Sequence, residues 1–385
     1  MDTDSAVALS AFVTGIALTG ALVSVRSREP EDVRLSLAAV FILFAGLSAW
    51  PLVVGFFRAA YPLYMPALLP MLLALPVAVH RQAEARTGAP YRRRAQLRDA
   101  SLPATGLLVM AGYWMLPGDS HAILFIEGRL PGGVAAAALA LITFVLVLAW
   151  IAVSAAYLIA TLRALHRHRA ALKAVYSNTE GRELRWMDAF LILLVGLWLV
   201  SALAVASENL ALGVVINSEL VLALTAGVLL VLIALSLGAA PSQPEGGPEV
   251  DAALERQGKY ARSALSEERA RKIAERIEAA MRRDQLHLDP TLSLTRLARH
   301  VATPANLVSQ TLNEHLGATF FDYVAKWRVE TAKPMLAAGE ASVLTVALDV
   351  GFNSRSTFYK AFKRETGLTP AAYRRSRPAA RPSIP

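Results

Sequence analysis

Residues 344–374 read LTVALDVGFNSRSTFYKAFKRETGLTPAAYR, and this stretch predicts two short helices separated by a tight turn. The first helix would bury the apolar residues that recur at helical spacing, which are Leu344, Val346, Ala347 and Val350. Gly351 follows where a tight turn needs a residue that tolerates positive φ. The second helix is expected from about Ser354 to Arg364, with Phe358 and Phe362 four residues apart on its inner face. This arrangement predicts a helix-turn-helix unit.

The outer face of the second helix carries polar and basic side chains. They can reach phosphates or base edges of DNA, and they are Arg355, Ser356, Tyr359, Lys360 and Lys363. From Gly351 to Arg381 there are eight Arg or Lys residues and one acid, Glu365. The charge and the helix pattern together predict a surface that binds double-stranded DNA.

A longer pattern of fixed positions extends over the same stretch and beyond it to the joining helix. It resembles the AraC/XylS family of transcription regulators at Gly351, Phe352, Ser354, Ser356, Phe358, Phe362, Lys363, Gly367, Pro370, Tyr373 and Arg374. The resemblance implies a domain of two helix-turn-helix units joined by a long helix. We expect that helix from Phe320 to about Ala337, where Arg328, Ala332 and Leu336 match the family pattern.

The residues before this joining helix fit a first helix-turn-helix unit. One helix is predicted from the spacing of its apolar residues, which are Leu294, Leu297, Ala298 and Val301. In the next helix, Thr303 is expected to be the N-cap residue and Pro304 a residue of the first turn. That next helix would bury Leu307, Val308 and Leu312. Its outward residues, predicted to face DNA, are Asn306, Ser309, Gln310 and Asn313.

Two residues depart from the family pattern. Ala302 stands where the first turn usually has Gly, so this turn must avoid positive φ or tolerate it. Pro334 lies inside the joining helix, where it removes the hydrogen bond to the Glu330 carbonyl and is expected to kink the helix.

The N-terminal part of the chain has a different composition. Hydrophobic residues make up 55% of the whole chain, which is high for a soluble domain. Seven apolar runs with almost no interior charge are long enough to cross a bilayer: Ala6–Val25, Val33–Phe57, Pro62–Val79, Ser101–Leu116, Gly133–Leu162, Met187–Ser207 and Val215–Leu237. They predict seven transmembrane helices.

Basic residues are distributed unevenly between the two sides of these segments. The loops after the first, third and fifth segments hold fifteen Arg or Lys residues, whereas the opposite side holds Arg58 and Arg129 alone. Because positive charge marks the cytoplasmic side, we expect the N-terminus outside and the C-terminus inside a bacterial inner membrane. The predicted DNA-binding surface then lies in the compartment that holds DNA.

The predicted organisation has five parts. A transmembrane sensor or anchor over residues 1–237 is followed by a flexible linker rich in Gly and Pro over 238–250. Connecting helices are expected over 251–284, the double helix-turn-helix domain over 285–376, and a disordered tail over 377–385. The expected fold is therefore all-α, with a seven-helix transmembrane bundle and a cytoplasmic DNA-binding domain.

Several classes of site find no support in the sequence. The chain has no cysteine, which excludes disulfides and Cys-ligated zinc. His166 and His168 lie among Arg residues and fit a solvated helix better than a metal site, and no Lys precedes Lys173 to form an intramembrane Schiff base. No phosphate-binding loop or paired metal-binding His motif is recognisable. We expect no cofactor, no metal and no enzymatic activity.

The sequence therefore predicts a membrane-bound transcription regulator. Its expected partners are double-stranded DNA and the lipid bilayer, with RNA polymerase a further candidate. A membrane transporter or enzyme with a regulatory DNA-binding tail is one alternative, and a DNA-binding domain merely anchored by the membrane half is another. The ligand of the membrane half and the oligomeric state are left open.

Overall fold

A computed structural model describes residues 3–88, 93–127, 129–179, 183–210, 218–238 and 265–376. Within these ranges every regular element is helical, and an isolated antiparallel β-bridge joins Tyr176 to Ser293. The chain divides into two compact units. The first comprises residues 1–165 and 184–242, and the second comprises residues 166–183 and 243–385.

The first unit is built from apolar helices. They are α1 (Thr3–Arg26), α2 (Glu31–Ser48), α3 (Trp50–Phe56), α4 (Tyr61–Thr87), α5 (Arg93–Trp114), the short α6 (Gly118–His121), α7 (Val134–Val175), α8 (Arg185–Leu210) and α9 (Ser218–Gly238). The helix α7 continues past the end of this unit. One core, which includes Phe41, Phe44 and Leu229, joins α1, α2, α4, α8 and α9. A second core, which includes Leu73, Val109 and Leu146, joins α4, α5 and α7. Each of the seven predicted segments overlaps one or two of these helices.

Fewer helices than the seven predicted meet the requirements of length and composition for a membrane span. Among the described residues, three helices are long and apolar enough to cross a membrane: Asp4–Arg26, Arg58–Thr87 and Val134–Val175. A fourth is counted if α2 and α3, which meet at an angle of 45°, form one broken span. Glu219–Leu235 is apolar but shorter. The seven-span bundle therefore stays a prediction.

The second predicted segment is not one straight helix. Its two parts meet at Ala49, and Pro51 lies in the first turn of α3. Proline has no N–H to donate to the preceding turn, so it starts a helix more readily than it continues one. The break accounts for the unusual length of this segment in the sequence.

The second unit contains the C-terminal helices. They are α10 (Glu267–Arg282), α11 (Leu294–His300), α12 (Ala305–Gln310), α13 (Phe320–Ala338), α14 (Val343–Asp349), α15 (Arg355–Thr366) and α16 (Pro370–Ser376). A short 3₁₀ helix spans Leu286–Leu288, and a π-helical turn, Thr311–His315, follows α12. The predicted linker 238–250, residues 251–264 and the tail 377–385 lie outside the described residues, except for Gly238 at the end of α9.

Two apolar clusters form the core of this unit, one for each helix pair. The first includes Leu297, Val308 and Leu312 together with Ile277 of α10, and the second includes Phe358 and Phe362. The joining helix α13 contributes to both, since Phe320 and Val324 belong to the first cluster and Val329, Ala332 and Leu336 to the second. The predicted joining helix is confirmed, and it continues through Pro334.

Two local predictions in this unit are wrong. Leu344 lies in the first turn of α14 with 48% of its surface exposed, because the buried face of that short helix is formed by Val346 and Ala347. Thr303 does not cap α12. Its hydroxyl donates to the Val301 carbonyl, and Pro304 occupies the N-cap position without a side-chain hydrogen bond.

Candidate nucleic-acid interface

Both helix pairs of the second unit turn in the same way. In the second pair, Gly351 has φ +92°, and the Phe352 N–H donates to the Ala347 carbonyl at 2.9 Å. In the first pair, Ala302 has φ +45°, and the Thr303 N–H donates to the Ala298 carbonyl at 3.0 Å. The first turn thus tolerates the left-handed conformation with alanine. The repeated hydrogen bond identifies two helix-turn-helix units of the same local geometry.

The recognition helix of the second unit is α15. It begins with a side-chain cap, since Ser354 accepts a hydrogen bond from the Thr357 N–H at 3.3 Å. Phe358 and Phe362 are fully buried, with ring centroids 5.5 Å apart, and this packing sets which face of the helix points outward. On the outward face, Arg355, Ser356, Lys360 and Lys363 are exposed and Tyr359 is half-buried.

Arg355 and Tyr359 form a local pair on this outward face. The Arg355 guanidinium lies 5.0 Å from the centre of the Tyr359 ring and donates to its hydroxyl at 3.1 Å. Stacking reduces the number of conformations that the arginine side chain must give up on binding. A planar guanidinium held at the start of a recognition helix is suited to bidentate contact with a guanine edge.

The charge of α15 is predominantly basic on this face. Arg355, Lys360 and Lys363 are exposed, whereas Glu365 is an ion-pair partner of Arg364 at 3.0 Å. Arg364 also pairs with Asp322 of the joining helix at 2.5 Å. The two acids near the recognition helix are therefore engaged by one arginine, and the remaining positive charge is available to phosphates.

The recognition helix of the first helix-turn-helix unit, α12, carries no charged residue, in contrast to α15. Asn306, Ser309 and Gln310 lie half-buried on α12, and Asn313 is exposed in the π-helical turn that follows. The Asn313 amide donates to the Ser309 hydroxyl at 3.4 Å, and the Gln310 amide donates to Glu314 at 2.8 Å. These side chains can donate to and accept from base edges, but they bring no positive charge of their own.

The structure therefore groups the predicted DNA-facing residues within each unit. The polar set lies on and just after α12, and the basic set lies on α15. Ser177 and Asn178, which no sequence pattern predicted, also contact this domain, through the buried Arg328 of the joining helix. Their positions about 150 residues earlier in the chain gave no signal that could have linked them to this domain.

Known proteins resemble the C-terminal part of this chain. Residues 297–376 match a family described as "Helix-turn-helix domain". An uncharacterised HTH-type transcriptional regulator of Staphylococcus aureus (strain COL) is 32% identical over 117 residues, which are 30% of this chain and 15% of that protein. A Streptomyces lividans protein named as an AraC-like transcription regulator is 34% identical over 92 residues, 23% of this chain and 30% of that protein.

The chain thus spans less than a third of the length of these relatives. Among solved structures, the C-terminal domain of AraT, a response regulator from Geobacillus stearothermophilus, is 23% identical with a TM-score of 0.26. That alignment covers 29% of this chain and 90% of the other. The family match places a helix-turn-helix domain in the C-terminal part of this chain, and one of its relatives is named as an AraC-like transcription regulator.

Proposed function

We propose that this chain is a membrane-bound transcription regulator that binds double-stranded DNA through α12 and α15. The observation that carries the proposal is the outward face of α15, where exposed basic residues and the stacked Arg355 lie over a buried aromatic core. The names of the two relatives, both transcription regulators, support it. No enzymatic activity is part of the proposal.

The apolar surface of the first unit supports membrane anchoring. Leu108 is 73% exposed, Ile192 is 71% exposed and Phe144 is 61% exposed, each on a different long helix. Large apolar side chains exposed in such number are costly in water and favourable against lipid. The excess of basic residues on one side of the predicted spans supports an inner-membrane location, with the C-terminal domain in the cytoplasm.

A cavity in the first unit favours a sensor over a simple anchor. Its volume is about 580 Å³, and its lining includes Phe44 of α2, Leu75 of α4, Tyr157 of α7, Leu194 of α8 and Leu222 of α9. Cavities of this size between helices commonly bind small molecules. The lining is mostly apolar, so an apolar small molecule or a lipid chain is the class of ligand that it fits.

Mass spectrometry of the intact protein tests ligand binding in this cavity. Leu194→Trp should fill part of the cavity and displace any apolar molecule that copurifies with the protein. The neighbouring Leu193→Trp, at an exposed position, should leave that molecule bound. Equal retention by both variants would contradict a ligand site and favour the simple anchor.

DNA recognition is tested by comparing two basic residues of the same helix. Genome-wide mapping of DNA bound to the intact protein would first provide the operator. Arg355→Ala should then weaken binding to the operator by about 1–3 kcal/mol and relax the preference at one base position. Lys363→Ala should weaken binding to operator and random duplex alike, because a phosphate contact carries no base preference.

Fluorescence anisotropy with both duplexes measures these effects. Circular dichroism controls for loss of the fold in each variant. If Arg355→Ala weakened binding to random DNA as much as to the operator, the guanidinium would be a phosphate contact. If neither duplex bound to the wild-type protein, the proposed function would be wrong.

A further inference from the structure

The last turns of α7 and the segment that follows pack on the helix-turn-helix domain within the second unit. Lys173 lies over the ring of Phe321 at 5.8 Å, at the start of the joining helix. Tyr176 forms the β-bridge with Ser293, the N-cap residue of α11. The Ser177 N–H donates to the Leu292 carbonyl at 3.3 Å, and its hydroxyl donates to the same carbonyl at 2.6 Å.

Asn178 bonds both to the turn that precedes the first helix-turn-helix unit and to the turn within the second. Its side-chain amide donates to the Pro290 carbonyl at 2.6 Å, just before the first unit. The same amide donates to the Gly351 carbonyl at 3.1 Å, in the turn of the second helix-turn-helix unit. One side chain therefore joins two turns, at Pro290 and Gly351, that are 61 residues apart in sequence.

Arg328 completes this arrangement from the joining helix. Its side chain is fully buried, and burial lowers its pKa to about 10 while leaving it charged at neutral pH. The guanidinium donates to the Ser177 carbonyl and hydroxyl, each at 3.2 Å, and to the Asn178 side chain at 3.4 Å. It also donates to the carbonyls of His287 at 2.6 Å and Asp289 at 2.8 Å.

A buried charge depends strongly on such partners. If residues 176–179 moved away, Arg328 would keep its bonds to His287 and Asp289 but lose those to Ser177 and Asn178. Losing hydrogen bonds to a buried charged group is costly, because such bonds contribute more than those between neutral groups and a buried charge without partners is destabilising. The segment and the relative orientation of the two units are therefore coupled energetically.

We propose that residues 176–179 form an intramolecular clasp that holds the two helix-turn-helix units in one DNA-binding orientation. The clasp follows directly after α7, which is continuous from Val134 to Val175, so a movement of that helix would displace it. This inference rests on the proposed DNA-binding function and adds the route by which the membrane half would regulate it. The clasp does not involve the DNA-facing side chains, so it acts on the orientation of the two units.

A reversible cross-link in the full-length protein tests the clasp. The natural chain has no cysteine, so Tyr176→Cys with Ser293→Cys introduces a unique pair. Residues paired in an antiparallel bridge have Cα atoms roughly 4.5–5.5 Å apart, within the range that a disulfide spans. His166→Cys with Ser293→Cys is the matched control, since about 13 Å of helix separates residue 166 from residue 175.

We expect the first pair to cross-link in membranes and the control pair to stay reduced. We call the part of the operator that one helix-turn-helix unit contacts a half-site. Oxidation should then strengthen binding to an operator with both half-sites by about tenfold, because locking the orientation of the two helix-turn-helix units removes an ordering cost. Binding to a single half-site should change less than about twofold, since one unit alone needs no fixed partner. Reductant should reverse the effect in the same sample.

A variant without a cross-link provides the second measurement. Asn178→Ala should weaken binding to the two-half-site operator by about tenfold and binding to one half-site much less. His166→Ala, at an exposed position of α7, should bind both like the wild type.

Three results would overturn the clasp. One is cross-linking of the Tyr176 pair no faster than the control, which would mean that the contact does not form. Another is equal or weaker operator binding after oxidation, which would mean that the contact does not organise the two units. The third is failure of every form, including the wild type, to bind DNA; the proposed function would then fail as well, although a disulfide would still record the contact.

Discussion

Gly351 offers a sharp test of how the second helix-turn-helix unit packs. A β-carbon at this position would lie 2.7 Å from the Leu288 carbonyl oxygen and 2.9 Å from that of His287. It would also lie 3.0 Å from Nε of Arg328. Two of these atoms are backbone and the third belongs to a buried side chain, so none can move aside easily. Gly351→Ala therefore meets a steric conflict in addition to its φ of +92°.

The two effects can be estimated separately. Alanine in the left-handed region costs roughly 1–2 kcal/mol. Relieving the contact requires the Leu286–Leu288 turn to shift, which would strain the hydrogen bond from Arg328 to the His287 carbonyl. A hydrogen bond to a charged group contributes about 1.5–3 kcal/mol. Together they predict that Gly351→Ala lowers the free energy of unfolding by about 2.5–5 kcal/mol.

Ala302 provides a matched control in the first helix-turn-helix unit. It occupies the equivalent turn position with φ +45°, so Ala302→Gly relieves backbone strain while adding flexibility to the unfolded chain. These effects oppose each other, and we expect a net change within about 1 kcal/mol. Gly351→Asn separates the two terms at the second turn, because asparagine tolerates positive φ but still carries a β-carbon.

Urea unfolding of residues 251–385, followed by circular dichroism, measures all three variants. This fragment lacks Ser177 and Asn178 but keeps Leu288, His287 and Arg328, whose atoms the added β-carbon would meet. We expect Gly351→Ala to be the most destabilised, Gly351→Asn intermediate and Ala302→Gly close to wild type. A loss below about 1 kcal/mol for Gly351→Ala would refute the close approach between this turn and the Leu286–Leu288 turn. Recovery of full stability by Gly351→Asn would show that φ alone, without the contact, requires glycine.

Three further predictions concern the core, pH and topology. Phe358→Ala should cost about 3–5 kcal/mol in the same unfolding assay, because Phe358 is fully buried, whereas the half-exposed Leu344→Ala should cost less than about 1.5 kcal/mol. Burial lowers the pKa of His287 below its usual 6.5, so the unfolded state binds its proton first. Stability should be full above pH 6.5 and fall as the pH drops toward the folded pKa, a dependence that His287→Gln should reduce in urea titrations at several pH values. Topology reporters fused after residue 5 and after residue 240 should be active outside and inside the membrane respectively, and finding both on the same face would contradict an odd number of spans.

The positions of the helices in the second unit were predictable because they depend on local patterns. The spacing of Val346, Ala347 and Val350 and of Phe358 and Phe362 determines which helix faces are buried, and glycine marks a turn. The burial of these five residues is confirmed. Leu344 has the same apolar character, yet it is exposed, because a helix of seven residues buries one face and the sequence does not define its edges.

The sequence by itself thus determined the helical class of the chain, the two helix-turn-helix units and the outward basic face of α15. Only the tertiary structure decided the environment of Arg328. Its partners Ser177 and Asn178 lie 151 and 150 residues away, and polar residues in a loop carry no periodicity that would reveal such a contact. Helical periodicity reports which residues share a face of one element. Which distant backbone atoms satisfy a buried charge depends on how the elements pack, and that is settled only when the whole unit folds.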